Sequence, residues 1–457
     1  LLSQKSYLCL GKGDVRGLAK TIDQLIASFD SAPHLQGRLA FTQARLARAA
    51  DDLDPVCGEL FERAAQFHAE AGDIALQAEC LAESSFSIWH NEARFDEAMA
   101  RCLRAGELYR ETNDPHSEAL LWHRLGGLYW GRANYDQVQR CYARAAELYR
   151  KSSNGPGEAE ILARLGAMFN DIGQHHEAQR HMLQALALKE RYGTTRWRLM
   201  SNIAVSTVNV GHIKEAFRWM ERAEHQAVRE GVSRPVVLLS QKSYLCLGKG
   251  DVRGLAKTID QLTQTAEPDQ PLSFTNLARL QYLSQLQIMQ ADFEAAEQTF
   301  RQLFEILRAY NNPLFIGHGQ IERAKLLTKF KRLEEAEVEL AGIPEVFCED
   351  YPTGEAALNV AWAQLRNAQG QFQAAAERAD AALAYYTRSD NRLNILTALG
   401  VRGLAAHGLG EDVEVWLNPM RRHGAGLELY PFGELSEVLL ALRAAVPSAE
   451  IVTFLAY

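Results

Sequence analysis

Apolar and small residues recur along this chain at a long, regular interval. Trp122, Leu125, Gly126 and Tyr129 lie three or four residues apart, the spacing that gathers side chains on one face of a helix. After a polar break, Tyr135, Val138, Tyr142 and Ala145 repeat the pattern and predict a second helix packed on the first. The same motif returns as Leu162, Leu165, Gly166, Phe169, Gly173, Ala178, Met182 and Ala185, and again as Ile203, Ala204, Gly211, Ala216, Met220 and Ala223. One position of the second helix can be followed through Cys57, Ala98, Val138, Ala178, Ala216, Leu255, Ala296, Ala336, Ala375 and Val415, at steps of 38 to 41 residues. Turn signals stand between the units: Asn113-Asp114-Pro115, Asn154-Gly155-Pro156, Asn311-Asn312-Pro313, and Gly231 with Pro235. Small residues at the helix contacts let backbones approach, while aromatics fill the space between neighbouring pairs. No pair buries its apolar face alone, so stability must come from stacking.

The spacing of Trp122, Leu125, Gly126 and Tyr129 resembles the W-x2-L-G-x2-Y opening of a tetratricopeptide repeat, and the register recurs over essentially the whole chain. The resemblance implies an all-α superhelix of about ten to eleven helix-turn-helix repeats across residues 26–447. A period near 40, against about 34 in the usual repeat, is similar to the long arrays used as sensor regions in bacterial signalling ATPases and transcriptional activators. That narrower likeness implies a non-catalytic region of a larger bacterial transcriptional regulator, binding a protein, a peptide or a small-molecule effector. A static scaffold for multiprotein assembly is the alternative.

Residues 1–25 reproduce residues 238–262 without a difference, and the flanking sequences diverge at once. Repeats here otherwise share only their core positions, so an unchanged copy points to a very recent duplication or an artefact, and no function is assigned to it. After Pro447 the sequence turns to β-branched and aromatic residues, which reads residues 448–457 as the start of a following domain or a tail.

Charge and composition narrow the partners. A net charge of -8 leaves no excess of Lys and Arg for phosphates, which argues against direct nucleic-acid contact by this segment and against anionic membranes. No window has the roughly 18 apolar residues of a membrane helix, and the first residues lack signal-peptide features; the expected location is the cytoplasm. The seven cysteines show no CxxC spacing, so neither a zinc site nor a disulfide framework is expected.

Candidate chemistry is sparse. Gly11-Lys12-Gly13 and its copy Gly248-Lys249-Gly250 lack the rest of a phosphate loop and read as a helix stop followed by a Gly-Asp turn. His175, His176 and His181 do not share the i, i+4 face a metal needs and read as solvated turn residues. No nucleophile motif is present. No catalytic residue, metal or cofactor is expected.

The resemblance places the first helix of each pair on the concave face, where equivalent positions stack from repeat to repeat. In the repeat frame these positions are Ser87, His90 and Asn91; His123, Arg124 and Trp130; Arg164, Asn170 and Asp171; Asn202 and Asn209; and Gln241, Gln281 and Gln285. Arg124, Arg164 and Asn202 share one position and form a candidate ladder for a carboxylate or an extended peptide, with Trp130 as an apolar surface. Clamps that hold a C-terminal carboxylate usually use Lys, and residues 119–184 contain only Lys151. A chaperone-type clamp is therefore not expected.

Overall fold

The computed structural model describes residues 32–50, 56–92, 95–112, 115–132, 134–194, 196–232, 235–249, 251–266, 273–310, 313–389, 391–424 and 433–445, with positions 20, 22 and 24. Most of the duplicated segment at residues 1–25, and residues 448–457, lie outside this set. Among the described residues the regular structure is all helical, an α-helical repeat solenoid.

The chain divides into two interleaved units. One holds residues 1–168, 180–200 and 222–235; the other holds 169–179, 201–221 and 236–457. In the first unit, α1 (Pro33–Ala50) pairs with α2 (Val56–Glu70), α3 (Ile74–Glu92) with α4 (Phe95–Thr112), and α5 (Pro115–Gly131) with α6 (Tyr135–Lys151). The next four helices, α7 (Gly155–Asp171), α8 (His175–Tyr192), α9 (Trp197–Asn209) and α10 (Ile213–Glu230), each contribute to both units. The second unit continues with α11 (Val236–Lys249), α12 (Val252–Thr265), α13 (Phe274–Met289), α14 (Phe293–Tyr310), α15 (Pro313–Lys329), α16 (Leu333–Ala341), α17 (Glu345–Asp350), α18 (Pro352–Ala368), α19 (Phe372–Arg388), α20 (Arg392–Leu409), α21 (Glu414–Gly424) and α22 (Gly433–Ala445).

The repeat frame is visible at one residue. Ala98, Val138, Ala178, Ala216, Leu255, Ala296, Ala336 and Ala375 are each the fourth residue of a second helix, and each is fully buried. From Val138 onward, the N–H of this residue donates to the carbonyl just before the helix, closing its first turn. The frame slips in the last pair. Val415 is 59% exposed, whereas Leu417 is 3% exposed and donates its N–H to Val413. Leu417, not Val415, is the fourth residue of α21; two extra residues in the turn after Gly410 shift the register.

Within pairs, many turns share a left-handed residue: Gly173, Gly211, Ala291, Lys331, Gly370 and Gly410 have φ between 58° and 91°. At Gly370 the residue donates to Asn367 and its successor Gln371 to Arg366, so both turn N–H groups satisfy carbonyls at the helix end. Helix α11 extends to Lys249, and Asp251 caps α12 by accepting from the Gly254 N–H at 2.8 Å.

One departure was not legible in the repeat. Helix α16 has only nine residues, ending before Gly342-Ile343-Pro344, and leaves space where other second helices continue. The short α17 fills it with Phe347, 0% exposed, whose ring lies where a Cβ on Gly317 or Gly354 would stand.

Candidate functional site

In the first unit, Arg124 bonds to a neighbouring repeat, and the other described positions chosen from the sequence make contacts mostly within their own repeat. Arg124, on α5, donates to Glu83 on α3, which is 1% exposed and also pairs with Arg45 and Arg48 of α1. Burial by itself would raise the Glu83 carboxyl, but the guanidiniums of Arg124, Arg48 and Arg45 hold it far below the usual carboxylate range. His123 is buried with its ring edge-on to Tyr142, and burial, reinforced by Arg124 and Arg164, keeps it neutral. Trp130 meets the same tyrosine at 6.4 Å, and the Tyr142 ring occupies the space a Cβ on Gly126 would need. Arg164 is half-exposed and bonds to Glu160 at 3.2 Å, which also takes a 2.7 Å bond from the buried Lys189. Ser87 is buried, and its hydroxyl donates to the Glu83 carbonyl. The side chains of His90 and Asn91 lie outside the described residues.

The second unit continues the theme with amides. Asn170 donates to the Asn202 carbonyl at 3.1 Å, Gln241 donates to the Asn202 side chain at 2.7 Å, and Tyr244 donates to Asn209 at 2.6 Å. Gln281 is exposed. Asp171 is exposed too, yet its carbonyl accepts from the Tyr351 hydroxyl. Arg124 and Arg164 belong to the first unit and Asn202 to the second.

That Asp171–Tyr351 bond is part of a clasp. Tyr385 donates to the Ile172 carbonyl at 3.0 Å, Thr353 and Tyr385 share a 2.8 Å hydroxyl contact, and Asn391 lies 3.5 Å from His175. His175, expected in solvent, is 3% exposed and also meets Asn170 at 3.2 Å; burial pushes its pKa down to about 4. The correction has a simple cause: the turn that carries it packs against a distant part of the chain.

The second unit also holds a cavity of about 510 Å³. Its walls come from the ends of successive first helices, α11, α13, α15, α18 and α20, with α22 closing one side. Leu247, Ile288, Met289, Leu326, Phe372, Leu404 and Val438 supply apolar surface; Lys325, Lys329, Lys331, Glu322, Gln285, Gln364 and Asn367 supply polar groups. Glu322 accepts from Lys325 at 3.0 Å and from Gln285 at 2.8 Å. Burial would raise its carboxyl, yet these partners bring it below its ordinary value. Lys329 donates to the Ile288 carbonyl at 3.1 Å. Of the residues singled out in the sequence, only Gln285 lines this cavity. The missed signal was the run Lys325, Lys329, Lys331: a local concentration of Lys in a chain whose basic charge is mostly Arg.

Stacked helix pairs around a lined cavity define a helical-repeat architecture of the kind that binds in its groove. Residues 117–191 match the tetratricopeptide-repeat family model, and the fold is a tetratricopeptide-type solenoid. A comparison with curated proteins finds no match. Among solved structures, a Rap protein complexed with Competence and Sporulation Factor is similar at 11% identity and a TM-score of 0.56, covering 76% of this chain and 97% of that one. The human IFIT1 dimer with m7Gppp-AAAA is 14% identical with a TM-score of 0.47, covering 90% of this chain and 95% of its own. No helix among the described residues is long and apolar enough to cross a membrane.

Proposed function

We propose that this chain is a non-catalytic binding module whose principal site is the cavity between the first helices of the second unit. The observation that carries this reading is the cavity itself: about 510 Å³, within the size range of ligand sites, with an apolar interior and a few convergent polar groups. Lining from several repeats suits such a site, because a ligand there touches many repeats and biases their stacking together. That coupling favours the sensor or interaction part of a larger bacterial transcriptional regulator over a static scaffold. A net charge of -8 supports a protein, peptide or small-molecule partner over nucleic acid. The groove residues Asn170, Asn202, Asn209 and Gln241 act in this reading as repeat-to-repeat fasteners that shape the site.

A thermal-shift screen of peptides and small metabolites against the chain, repeated with the cavity-filling variants Leu404→Trp and Met289→Trp, tests the proposal. Ligands that raise the melting temperature of the wild type and not of the folded variants support it. Equal stabilisation of all three proteins would move the site elsewhere.

A further inference from the structure

Three helices of the second unit have one end in the clasp and the other in the cavity wall. Tyr351 and Thr353 stand at the start of α18, Tyr385 in the last turn of α19, and Asn391 caps α20. At their far ends the same helices line the cavity, with Gln364 and Asn367 from α18, Phe372 from α19, and Leu404 and Gly408 from α20. The Phe372 ring lies where a Cβ on Gly408 would stand, which joins the ends of α19 and α20 in this wall. Val360, Ala363, Ala379, Ala382, Leu396 and Leu399 give the three helices a shared core, so they behave as one block about 25 Å long. The facing wall comes from α13 and α15. At the seam between the walls the second helix, α16, has nine residues, where α10 and α14 have 18. The block is thus lightly backed at the seam and held at its clasped end. Tyr351 ties both walls to the gripped turn: its hydroxyl donates to the Asp171 carbonyl, and its ring meets the His318 ring of α15 at 5.2 Å.

The clasp can release without unfolding either side. A Cβ on Gly173 would stand 3.6 Å from the Asn391 amide and 3.7 Å from the Thr353 hydroxyl, so the two surfaces touch without interlocking. Its tyrosine bonds run from hydroxyls to the carbonyls of a turn, and each adds little net stability once exchange with water is counted.

Resting on the reading of the cavity as the binding site, we propose that the clasp is a ligand-linked latch: a compact apolar molecule binds the cavity more tightly when the clasp is closed, and its binding holds the clasp shut. The sign follows from the walls. The cavity of about 510 Å³ is formed with the clasp made, and a block freed at one end no longer keeps Phe372 and Leu404 at a fixed distance from Leu326 and Met289. A ligand that touches both walls therefore has different affinities for the two states, which is the condition for it to shift them. Linkage is reciprocal: whatever factor the clasp adds to the affinity, the ligand returns to the clasp.

The probe is N-phenyl-1-naphthylamine, a neutral dye that fluoresces in apolar surroundings, titrated into the wild type, Tyr385→Phe, Tyr244→Phe and Leu404→Trp. Tyr385→Phe removes the hydroxyl that reaches Ile172 and Thr353, at the opposite end of the block from the cavity. Tyr244→Phe removes a hydroxyl that reaches Asn209, outside both clasp and cavity wall. Circular dichroism checks that each variant is folded. Hydrogen exchange of a peptide spanning residues 169–179, with and without saturating dye, reads the clasp directly. Affinity is expected to fall about five-fold or more in Tyr385→Phe, to hold in Tyr244→Phe and to vanish in Leu404→Trp, while the dye slows exchange of the peptide in the wild type. Equal or tighter binding by Tyr385→Phe, an equal loss in Tyr244→Phe, or exchange indifferent to the dye would each overturn the latch and leave the cavity as a site. Binding that Leu404→Trp does not disturb, or no saturable binding at all, would overturn the reading of the cavity and the latch with it.

Discussion

Arg124 and Glu83 lie one repeat apart and are joined by an ion pair, with the carboxylate buried and two further arginines, Arg45 and Arg48, converging on it. A single acidic residue thus ties the first helices of three successive pairs.

Removing that acid should be costly. Glu83→Gln leaves three guanidiniums around a neutral amide, and breaking a buried pair in this way costs about 3–5 kcal/mol. The Glu83 carboxyl is held well below its unfolded value of 4.5. Its contribution is therefore present above that value and is lost as pH falls below it toward the folded pKa. Urea titrations should show the variant less stable at pH 7 and less steeply destabilised below about pH 4.5. Equal stability of the two proteins at pH 7 would contradict the role given to Glu83.

His175 should impose a second pH dependence. Its folded pKa is lowered from 6.5 to about 4, so the unfolded chain binds the proton more readily. Stability from this residue is complete above about 6.5 and declines toward pH 4, by about 3 kcal/mol if the whole shift is realised. His175→Gln can still hydrogen-bond to Asn170 and Asn391 but cannot titrate. The difference in unfolding free energy between pH 7 and pH 4.5 should shrink in that variant.

The left-handed turns predict a paired result. Ala291 has φ 58°, a conformation that costs a side chain about 1–2 kcal/mol. Ala291→Gly should relieve it, less about 0.4–1 kcal/mol of added freedom in the unfolded chain, for a net gain of about 0.5–1 kcal/mol. At Gly410, φ is 74° and a Cβ would meet no atom within 4 Å. Gly410→Ala should thus lose a similar amount through the backbone alone. Melting temperatures moving in opposite directions are expected.

Packing gives the largest effects. Phe347→Ala empties the space beside the shortened α16 and should cost about 3–5 kcal/mol. Ala216→Leu overfills a fully buried fourth position and should cost about 1–3 kcal/mol. Denaturant midpoints measure both, and an unchanged midpoint for Ala216→Leu would contradict the repeat frame.

The fold was legible because small residues at a fixed period admit few structures other than stacked helix pairs. Ala98, Ala178, Ala216, Ala296, Ala336 and Ala375 announce the frame without any alignment. Val415 misled because a two-residue change in one turn is invisible to a period that already varies from 38 to 41. The site was harder to read for a physical reason. Polar groups on the first helices of adjacent repeats lie within reach of one another, so Arg124, Asn170, Asn202 and Gln241 bond between repeats. What remains for a ligand depends on which groups those bonds leave over, as at the Asn367 Oδ1, and pairing is a property of three-dimensional neighbours.

The clasp has a consequence for the order in which the second unit folds. Bonds between repeats link residues 32 to 41 apart, whereas Tyr351, Tyr385 and Asn391 reach partners 180, 213 and 216 residues away. Closing a 213-residue loop in place of a 39-residue one costs about 1.5 kcal/mol more entropy. Neighbouring helix pairs therefore nucleate and stack first, and the turn at residues 171–175 docks last. Groups joined only in that final step are absent from the folding transition state. Tyr385→Phe should accordingly speed unfolding while leaving the refolding rate nearly unchanged, a separation that stopped-flow measurements resolve.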